Sequence, residues 1–309
     1  MITTFAKEYV LPIFAQLIRL KQLIVSTKEP IVNVFYHTVS NNYLPHISPL
    51  YKFRSTKEFE QDIDFLLNNF EPISAHDVLR HVKNEKRIEK PSFHLSFDDG
   101  LRELFDNAMP VLSRKGVPAT VFVNSDFVDN RDLFFRFKAA LIVDKEPALK
   151  SEVLKIKYPD RKVLDDLAQK LDLDFSDFLH NYQPYLSTEQ LKKMQENGFT
   201  IGAHSASHPN YELLTEQEQI EQTLKSYAFV KEIFSEQNSY FAFPFSADGV
   251  GKGFFEKIYN EVDLTFGTGA INSSLDGKHI DRINMEIYGK TAKQCVQRAY
   301  MTKFLKQWV

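Results

Sequence analysis

Two short motifs, about one hundred residues apart, carry the side chains best suited to chemistry. The first is Ser96-Phe97-Asp98-Asp99-Gly100, and the second is His204-Ser205-Ala206-Ser207-His208-Pro209. If the second motif forms one helical turn, its two imidazoles face the same way. With one aspartate they make a set of two histidines and one carboxylate that leaves coordination positions for water. The motifs therefore predict an open metal site and favour hydrolysis as the reaction.

Each motif also has a purely structural interpretation. An Asp-Asp-Gly sequence after a strand is often a turn, and His-Pro often marks a loop. Both motifs, however, directly follow a short apolar run that is typical of a buried strand. Their co-occurrence at strand ends favours the metal site over two unrelated turns.

An alternation of apolar runs and amphipathic segments must position these motifs. Ser55 and Glu58 have the spacing of a helix capping box. Strands alternating with helices predict parallel strands whose carboxyl ends meet on one side, where ligand groups collect. The first four predicted strands cover residues 31–37, 93–97, 119–123 and 199–203.

The alternation stops at about residues 130–186, where charged, helix-like segments follow one another. We predict a helical insertion here. An excursion between two strands that carry active-site groups is typical of a lid on the substrate side, and a simple surface elaboration is the alternative. The chain length otherwise favours one large domain.

The first thirty residues contain an apolar stretch, residues 10–18, that invites comparison with a signal peptide. Arg19 and Lys21 stand where a small-residue cleavage site is expected, and the stretch is shorter than a bilayer span. We predict an amphipathic helix within residues 1–30 that packs on or near the main domain. The alternative is an interfacial anchor, which means peripheral membrane association. We expect the protein to lie in the bacterial cytoplasm, and the alternative is a position at the inner membrane face.

Composition excludes several classes of protein. The net charge of −3, with both signs scattered along 309 residues, provides no broad basic face for nucleic acid. Cys295 is the only cysteine, so no internal disulfide can form, and the chain suits a reducing compartment. No oligomeric state follows from the sequence.

The two motifs together resemble the polysaccharide deacetylase family, also called the NodB homology domain or carbohydrate esterase family 4. The resemblance runs from about residue 32 to residue 282, interrupted by the insertion. It implies a distorted TIM-like (β/α)7 barrel over residues 31–309. It also implies a metal-dependent hydrolase that removes N-acetyl groups from an amino sugar in a polysaccharide, oligosaccharide or glycolipid.

The resemblance assigns roles to the motif residues. Asp99, His204 and His208 correspond to the metal ligands, and Asp98 corresponds to the general base. Zn²⁺ suits nitrogen and oxygen ligands, although Co²⁺, Ni²⁺ or Fe²⁺ fit as well. A bound metal and a free neighbouring carboxylate together suit the activation of water.

A third family motif is altered in this chain. Ala242 stands where many members have an arginine, and Phe245 and Ser246 replace a tyrosine and a glycine. Phe243, Pro244 and Phe245 remain candidates for an aromatic, substrate-binding wall. Arg282 resembles an arginine that other members place on a late strand, from which it would pair with Asp98; the alternative is a salt bridge with Asp281.

The last family motif, Leu-x-x-His-Asp, does not appear after Arg282. Phe35-Tyr36-His37 instead resembles the branch in which this motif is permuted to the N-terminal side of the barrel. His37 is therefore the expected general acid, because an imidazole titrates near neutral pH. His279 is a distant substitute.

Two alternative functions remain open at this stage. One keeps the site but moves the substrate to a formylated sugar or a small amide. The other is a degenerate, non-catalytic carbohydrate-binding protein that has lost its acid and its arginine. The position of His37 and of an arginine relative to Asp98 distinguishes an enzyme from the non-catalytic alternative.

Overall fold

The computed structural model describes residues 19–234, 238–269, 271, 273–274 and 277–307. The apolar stretch at residues 10–18 lies outside these ranges, so the helix predicted there stays a prediction. Helix α1 (Leu20–Thr27) packs against the last described helix, α12 (Ala292–Lys306). None of the described helices has the length and apolar character needed to cross a membrane.

Parallel strands form a closed barrel in the described part of the chain, as the sequence predicts. The ring closes where Val34 and Phe35 of the first strand pair with Ile283 and Asn284 of the last. Two short strands lie beside it: β2 (Glu71–Ile73) and β8 (Ser273–Ser274). The seven barrel strands are β1 (Ile31–Tyr36), β3 (Ser92–Phe97), β4 (Ala119–Val123), β5 (Thr200–Ala203), β6 (Tyr240–Ala242), β7 (Leu264–Thr268) and β9 (His279–Asn284).

Helices cover the outside of the barrel, which is why the strands have apolar residues on both faces. Capping boxes fix where several of these helices begin, including the box of Ser55 and Glu58 that the sequence predicts. The helices are α2 (Thr56–Asn69), α3 (Ala75–Val82), α4 (Met109–Lys115), α9 (Thr188–Glu196), α10 (Glu216–Phe234), α11 (Lys252–Ile258) and α12.

The helix after the Asp-Asp-Gly motif begins differently from a regular α-helix. A π-helical turn at Leu104–Ala108 precedes α4, and the backbone N–H of Met109 donates to the carbonyl of Leu104. Pro110 has no N–H to donate to the preceding turn, so the ladder of hydrogen bonds is broken there. The spacing of apolar residues predicts one α-helix over residues 102–114, and this prediction is wrong in its first half.

The chain between β4 and α9 folds into four helices with a core of their own. Leu141, Ile142, Val153 and Leu164 belong to this second core, which is separate from the core around the barrel. The loop after β1 contributes Leu44 and other apolar residues to it. The four helices are α5 (Phe135–Lys145), α6 (Lys150–Val153), α7 (Val163–Lys170) and α8 (Phe175–Tyr182).

Candidate metal centre

Two adjacent carboxylates stand at the carboxyl end of β3. Asp98 and Asp99 follow Phe97, the last residue of the strand, and both are buried. Asp99 has φ of +71° and Gly100 has φ of +64°, so the chain turns through the left-handed region as it leaves the barrel. The turn directs the two carboxylates to different partners.

The two histidines lie in a loop after β5, and the helical turn predicted for residues 204–208 is wrong. Ser205 and His208 have φ values of +67° and +55°, which an α-helix does not allow. The Ser205 hydroxyl accepts the N–H of His208 at 3.0 Å, and the Asn124 amide donates to the carbonyl of His204. These bonds fold the loop so that the two rings lie 5.0 Å apart.

Asp99, His204 and His208 bring three metal-ligand atoms together. Nε2 of His208 and Nε2 of His204 lie 3.1 Å and 3.5 Å from Oδ1 of Asp99, and the three donor atoms are within 4.8 Å of one another. All three residues are buried. Oδ1 of Asp99 has no hydrogen-bond partner among the described residues, although a buried polar atom normally has one. The donor set and this orphaned oxygen fit a divalent cation such as zinc.

The protonation states of His204 and Asp99 also suit a cation. Nδ1 of His204 lies 2.8 Å from the carbonyl oxygen of Ala242; donation from Nδ1 leaves the lone pair of Nε2 free. Burial lowers the pKa of His204 to about 4, so its ring is neutral at neutral pH. Burial alone would raise the pKa of Asp99, but the nearby His208 outweighs it and holds that pKa well below its usual range.

Asp98 makes a two-pronged ion pair with Arg282 inside the barrel. Nη1 and Nη2 of Arg282 donate to the two carboxylate oxygens at 2.7 Å and 2.8 Å, and Arg282 has no exposed surface. Burial opposes the charge on Asp98, but Arg282 outweighs burial and lowers the pKa of the carboxyl. Asp98 is therefore an ionised carboxylate that Arg282 holds in place.

His37 follows β1 and is held by Glu286, a residue that the sequence analysis missed. Nδ1 of His37 lies 2.5 Å from the carboxylate, which also accepts the backbone N–H groups of His37 and Thr38. Burial alone would lower the pKa of His37, but Glu286 outweighs it and raises that pKa to about 9. The imidazole is thus protonated at neutral pH. The available signal was an acid just beyond the carboxyl end of β9.

The predicted aromatic wall is only partly exposed. Phe243 and Pro244 are buried, and Phe243 packs edge-on against Tyr211 and Phe241 while it also lines the cavity beside the metal ligands. Phe245 is 42% exposed, and its ring lies 4.8 Å from that of His208. Of the three, only Phe245 offers substantial surface to a ligand.

His279, the substitute acid, lies beside Asp281, with its Nε2 3.9 Å from Oδ1 of that residue. Nδ1 of His279 is 3.0 Å from the hydroxyl of Thr265, and its ring packs against Phe243 and Phe255. Burial, followed by the positive charge of Arg282, lowers the pKa of His279 to about 4. The side chain is therefore a neutral packing group.

One cavity of about 720 Å³ joins these groups. Its wall brings an ionised carboxylate, a protonated imidazole and the three metal-ligand side chains to the same space. Such a set can take a proton from water on one side of a reacting bond and give a proton on the other. Its lining includes His37, Tyr51, Asp98, Asp99, Phe134, His204, His208, Phe245 and Glu286.

Comparison with known proteins gives consistent results. A family model described as polysaccharide deacetylase matches residues 85–261. YxkH of Bacillus subtilis (strain 168), whose name groups it with the polysaccharide deacetylases, is 18% identical over 212 residues. That match covers 68% of this chain and 55% of YxkH, so the chain spans about half the length of that relative.

Solved structures of low sequence identity share the fold. The Streptococcus pyogenes deacetylase PplD, solved in complex with acetate, superposes with a TM-score of 0.62 at 14% identity, covering 87% of this chain and 97% of PplD. IcaB from Ammonifex degensii gives a TM-score of 0.60 at 17% identity, with 88% and 96% covered. At these identities the likeness concerns the barrel and its connections.

Proposed function

The chain belongs to the polysaccharide deacetylase family, and we propose that it hydrolyses the N-acetyl group of an amino sugar in a glycan. Water adds to the amide carbon, the carbon–nitrogen bond breaks, and the products are acetate and a free amine on the sugar. A carboxylate must accept the proton that the water loses, and an acid must protonate the departing nitrogen. The cavity offers one residue for each task.

We assign a divalent cation, most suitably Zn²⁺, to Asp99, His204 and His208. When bound, the ion would supply Lewis-acid polarisation of the amide carbonyl and a lower pKa for bound water. The donor atoms and the orphaned oxygen of Asp99 support this assignment. Co²⁺, Ni²⁺ and Fe²⁺ are compatible with the same ligands.

Asp98 is the proposed proton acceptor. It is next to Asp99 in sequence, yet both of its oxygens are engaged by Arg282 and not by the metal-ligand histidines. The guanidinium keeps the carboxyl ionised and fixes its orientation. Arg282 thus acts on the reaction through Asp98.

His37 is the proposed proton donor to the leaving nitrogen. Glu286 keeps its imidazole protonated, and the ring packs beside Tyr51 at 5.4 Å between centroids. The Glu286 contact is to Nδ1, so Nε2 and its proton are left for the substrate. When His37 takes up a proton again after donating one, Glu286 is in position to stabilise the imidazolium.

The observation that carries this proposal is that the pKa values of two groups in one cavity are shifted in opposite directions. The pKa of Asp98 is lowered and the pKa of His37 is raised, and both residues line the space beside the metal ligands. A degenerate, non-catalytic protein would have no need of either arrangement. The presence of both an arginine on Asp98 and an acid nearby favours an enzyme over that alternative.

Acetate release from short N-acetylglucosamine oligomers, measured with metal content, tests the proposal. The wild type should release acetate, the Asp98→Asn variant should lose turnover while keeping its metal, and the His204→Ala variant should lose both. Circular dichroism checks that each variant is folded. Substantial turnover in Asp98→Asn would rule out Asp98 as the base.

The substrate within this chemistry needs a separate comparison. A panel of acetylated sugars, formylated sugars and simple amides distinguishes a sugar N-deacetylase from a deformylase or a small-amide hydrolase. We expect the acetylated oligomers to react fastest. Faster reaction of the formylated sugars would transfer the assignment to deformylation.

A further inference from the structure

The cavity of the metal centre continues along one face of α12. Cys295, Ala299, Thr302 and Lys306 recur every three or four residues and all line it. At 1.5 Å of rise per residue, this stripe is about 16 Å long. Gln307, just after the helix, donates to the carbonyl of Thr27 ahead of β1, so α12 leads away from the carboxyl ends of the strands. The cavity therefore extends well beyond the reacting amide.

The carboxylates in the wall of this cavity are all engaged. Asp98 pairs with Arg282, Glu286 pairs with His37, and Asp99 faces the two metal-ligand histidines. The contacts of Asp98 and Glu286 are with side chains of opposite charge, and Asp99 is assigned to the metal ion. No lining carboxylate is left to attract a cation from the substrate.

The cations in the wall have no such partners. Arg136, Arg298 and Lys306 line the cavity, and among the described residues no carboxylate lies within 4.0 Å of their charged nitrogens. Arg136 is partly buried, and its Nη1 donates to the carbonyl of Leu154 at 2.8 Å. Arg298 is also partly buried, whereas Lys306 is exposed. Withdrawing a charge from water without a counter-charge is unfavourable, so the two arginines suit a negative group brought by the ligand, and Lys306 adds an exposed positive charge beside them.

We infer that the glycan substrate carries an oxyanion group, a phosphate or a carboxylate, that Arg298 and Lys306 bind along α12. This inference rests on the proposed deacetylation, because it takes the N-acetylated glycan as the ligand that fills the rest of the cavity. Arg298 and Lys306 are eight residues apart, about 12 Å along the helix. A guanidinium matches the paired oxygens of either anion, and a lysine adds a point charge. Arg136, which lines the cavity from the insertion, adds to the positive potential.

Three N-acetylated tetrasaccharides of equal length test this inference: a neutral one, one with a phosphate monoester and one with a uronic acid. We expect kcat/KM to be about tenfold higher for an anionic glycan than for the neutral one at low ionic strength. The preference should shrink as NaCl rises from about 50 to about 500 mM, because salt screens charge attraction. Whichever anionic glycan gains more identifies the group.

A double variant, Arg298→Gln with Lys306→Gln, should reduce the ratio of anionic to neutral kcat/KM about tenfold. The matched control is Lys303→Gln on the same helix. Lys303 pairs with Glu29 at 2.9 Å and does not line the cavity, so this variant should keep the wild-type ratio. If the double variant does not fold, the single Arg298→Gln variant provides the same comparison.

Binding separates this inference from the proposed function. Calorimetric titration of the three glycans into the Asp98→Asn variant needs no turnover. Tighter binding of an anionic glycan, lost when Arg298 is also changed to Gln, supports the inference even if no glycan is hydrolysed. Equal binding and equal turnover of all three glycans would overturn it and leave the deacetylase proposal standing.

Discussion

Asp98 and His37 reach opposite charge states in one cavity, and their partners explain the difference. Burial disfavours charge on both side chains. Arg282 reverses that effect for the carboxylate, and Glu286 reverses it for the imidazole. Each group in the proposed proton relay therefore has a hydrogen-bonded partner of opposite charge.

Changing Glu286 to Gln should move the alkaline limb of the kcat profile to lower pH by at least about one unit. An acid works only while protonated, so wild-type activity should fall as pH rises through about 9, the pKa of His37. Without the carboxylate, burial dominates and His37 loses its proton earlier. The measurement is kcat against pH for both proteins.

The control for this change is Glu256→Gln, which removes an exposed carboxylate that pairs with Lys252 at 3.2 Å. Its pH profile should match that of the wild type. An unchanged alkaline limb in Glu286→Gln would mean that another group, and not His37, donates the proton.

The ligand set was predictable from the sequence, whereas the partner of His37 was not. Asp99, His204 and His208 follow apolar strands, and parallel strands bring their carboxyl ends together. Glu286 is 249 residues from His37. Nothing local in the sequence pairs the two, because their contact depends on the last barrel strand lying next to the first.

At the scale of elements, the helical insertion touches the metal-ligand loop directly. The hydroxyls of Tyr158 and Ser207 lie 2.7 Å apart, and the ring of Phe134 lies 4.3 Å from that of His208. Ser207 sits between the two histidine ligands in sequence. The insertion therefore braces the loop that presents the imidazoles.

Changing Tyr158 to Phe should weaken zinc binding about tenfold, because supporting contacts hold metal ligands in place. Competition with a chromogenic chelator measures this affinity. The control is Tyr43→Phe, which likewise removes a tyrosine hydroxyl. The hydroxyl of Tyr43 donates to Asp144 of the insertion at 2.6 Å, and Tyr43 is exposed. Equal zinc affinity in Tyr158→Phe and wild type would show that the loop holds its shape unaided.

His46 attaches the loop after β1 to the insertion through its ring. The ring is fully buried among Phe137, Phe178 and Tyr182, and neither nitrogen has a hydrogen-bond partner among the described residues. Burial, followed by the charge of Arg102, lowers the pKa of His46 to about 3. The unfolded chain binds a proton here below pH 6.5 and the folded chain does not, so stability is lost as pH falls below 6.5.

Changing His46 to Phe should raise the free energy of unfolding by about 1 kcal/mol at pH 7.5, because a buried unsatisfied polar group is removed. At pH 5.5 the gain should be about 1 kcal/mol larger, since only the wild type is penalised by protonation of its unfolded state. Urea unfolding at both pH values tests this. The exposed His180, changed to Gln, is the control; a gain that does not depend on pH would contradict the titration of His46.

Element types followed from the sequence more readily than the backbone between them. The strand and helix alternation was predictable because apolar periodicity reflects burial in the barrel. The loop over residues 204–208 was not, since its left-handed residues depend on bonds from Asn124 and Ser205. The π-helical turn before α4 follows from Pro110, a signal that helical periodicity alone does not contain.

At the scale of the whole molecule, the proposed metal site would join two separate regions of the chain. Asp99 follows β3, and His204 and His208 follow β5, with the insertion between them in sequence. Binding of an ion to the folded state alone stabilises that state by mass action. Metal binding and global stability are therefore expected to be coupled.

Adding zinc at about one hundred times its dissociation constant to chelator-treated protein should raise Tm by about 5 °C. Asp98→Asn should keep this shift, whereas His204→Ala and His208→Ala should lose it, because both histidines are proposed ligands and Asp98 is not. Differential scanning calorimetry measures it. A zinc-dependent shift that persists in both histidine variants would place the ion elsewhere.

The ion pair between Asp98 and Arg282 connects two barrel strands that are far apart in the sequence. Asp98 follows the second strand of the ring in chain order, whereas Arg282 belongs to the last, and the guanidinium lies among the rings of Phe35, Phe122 and Phe266 from three other strands. The proposed base therefore acquires its counter-charge only when the last barrel strand has joined the first and the ring is closed.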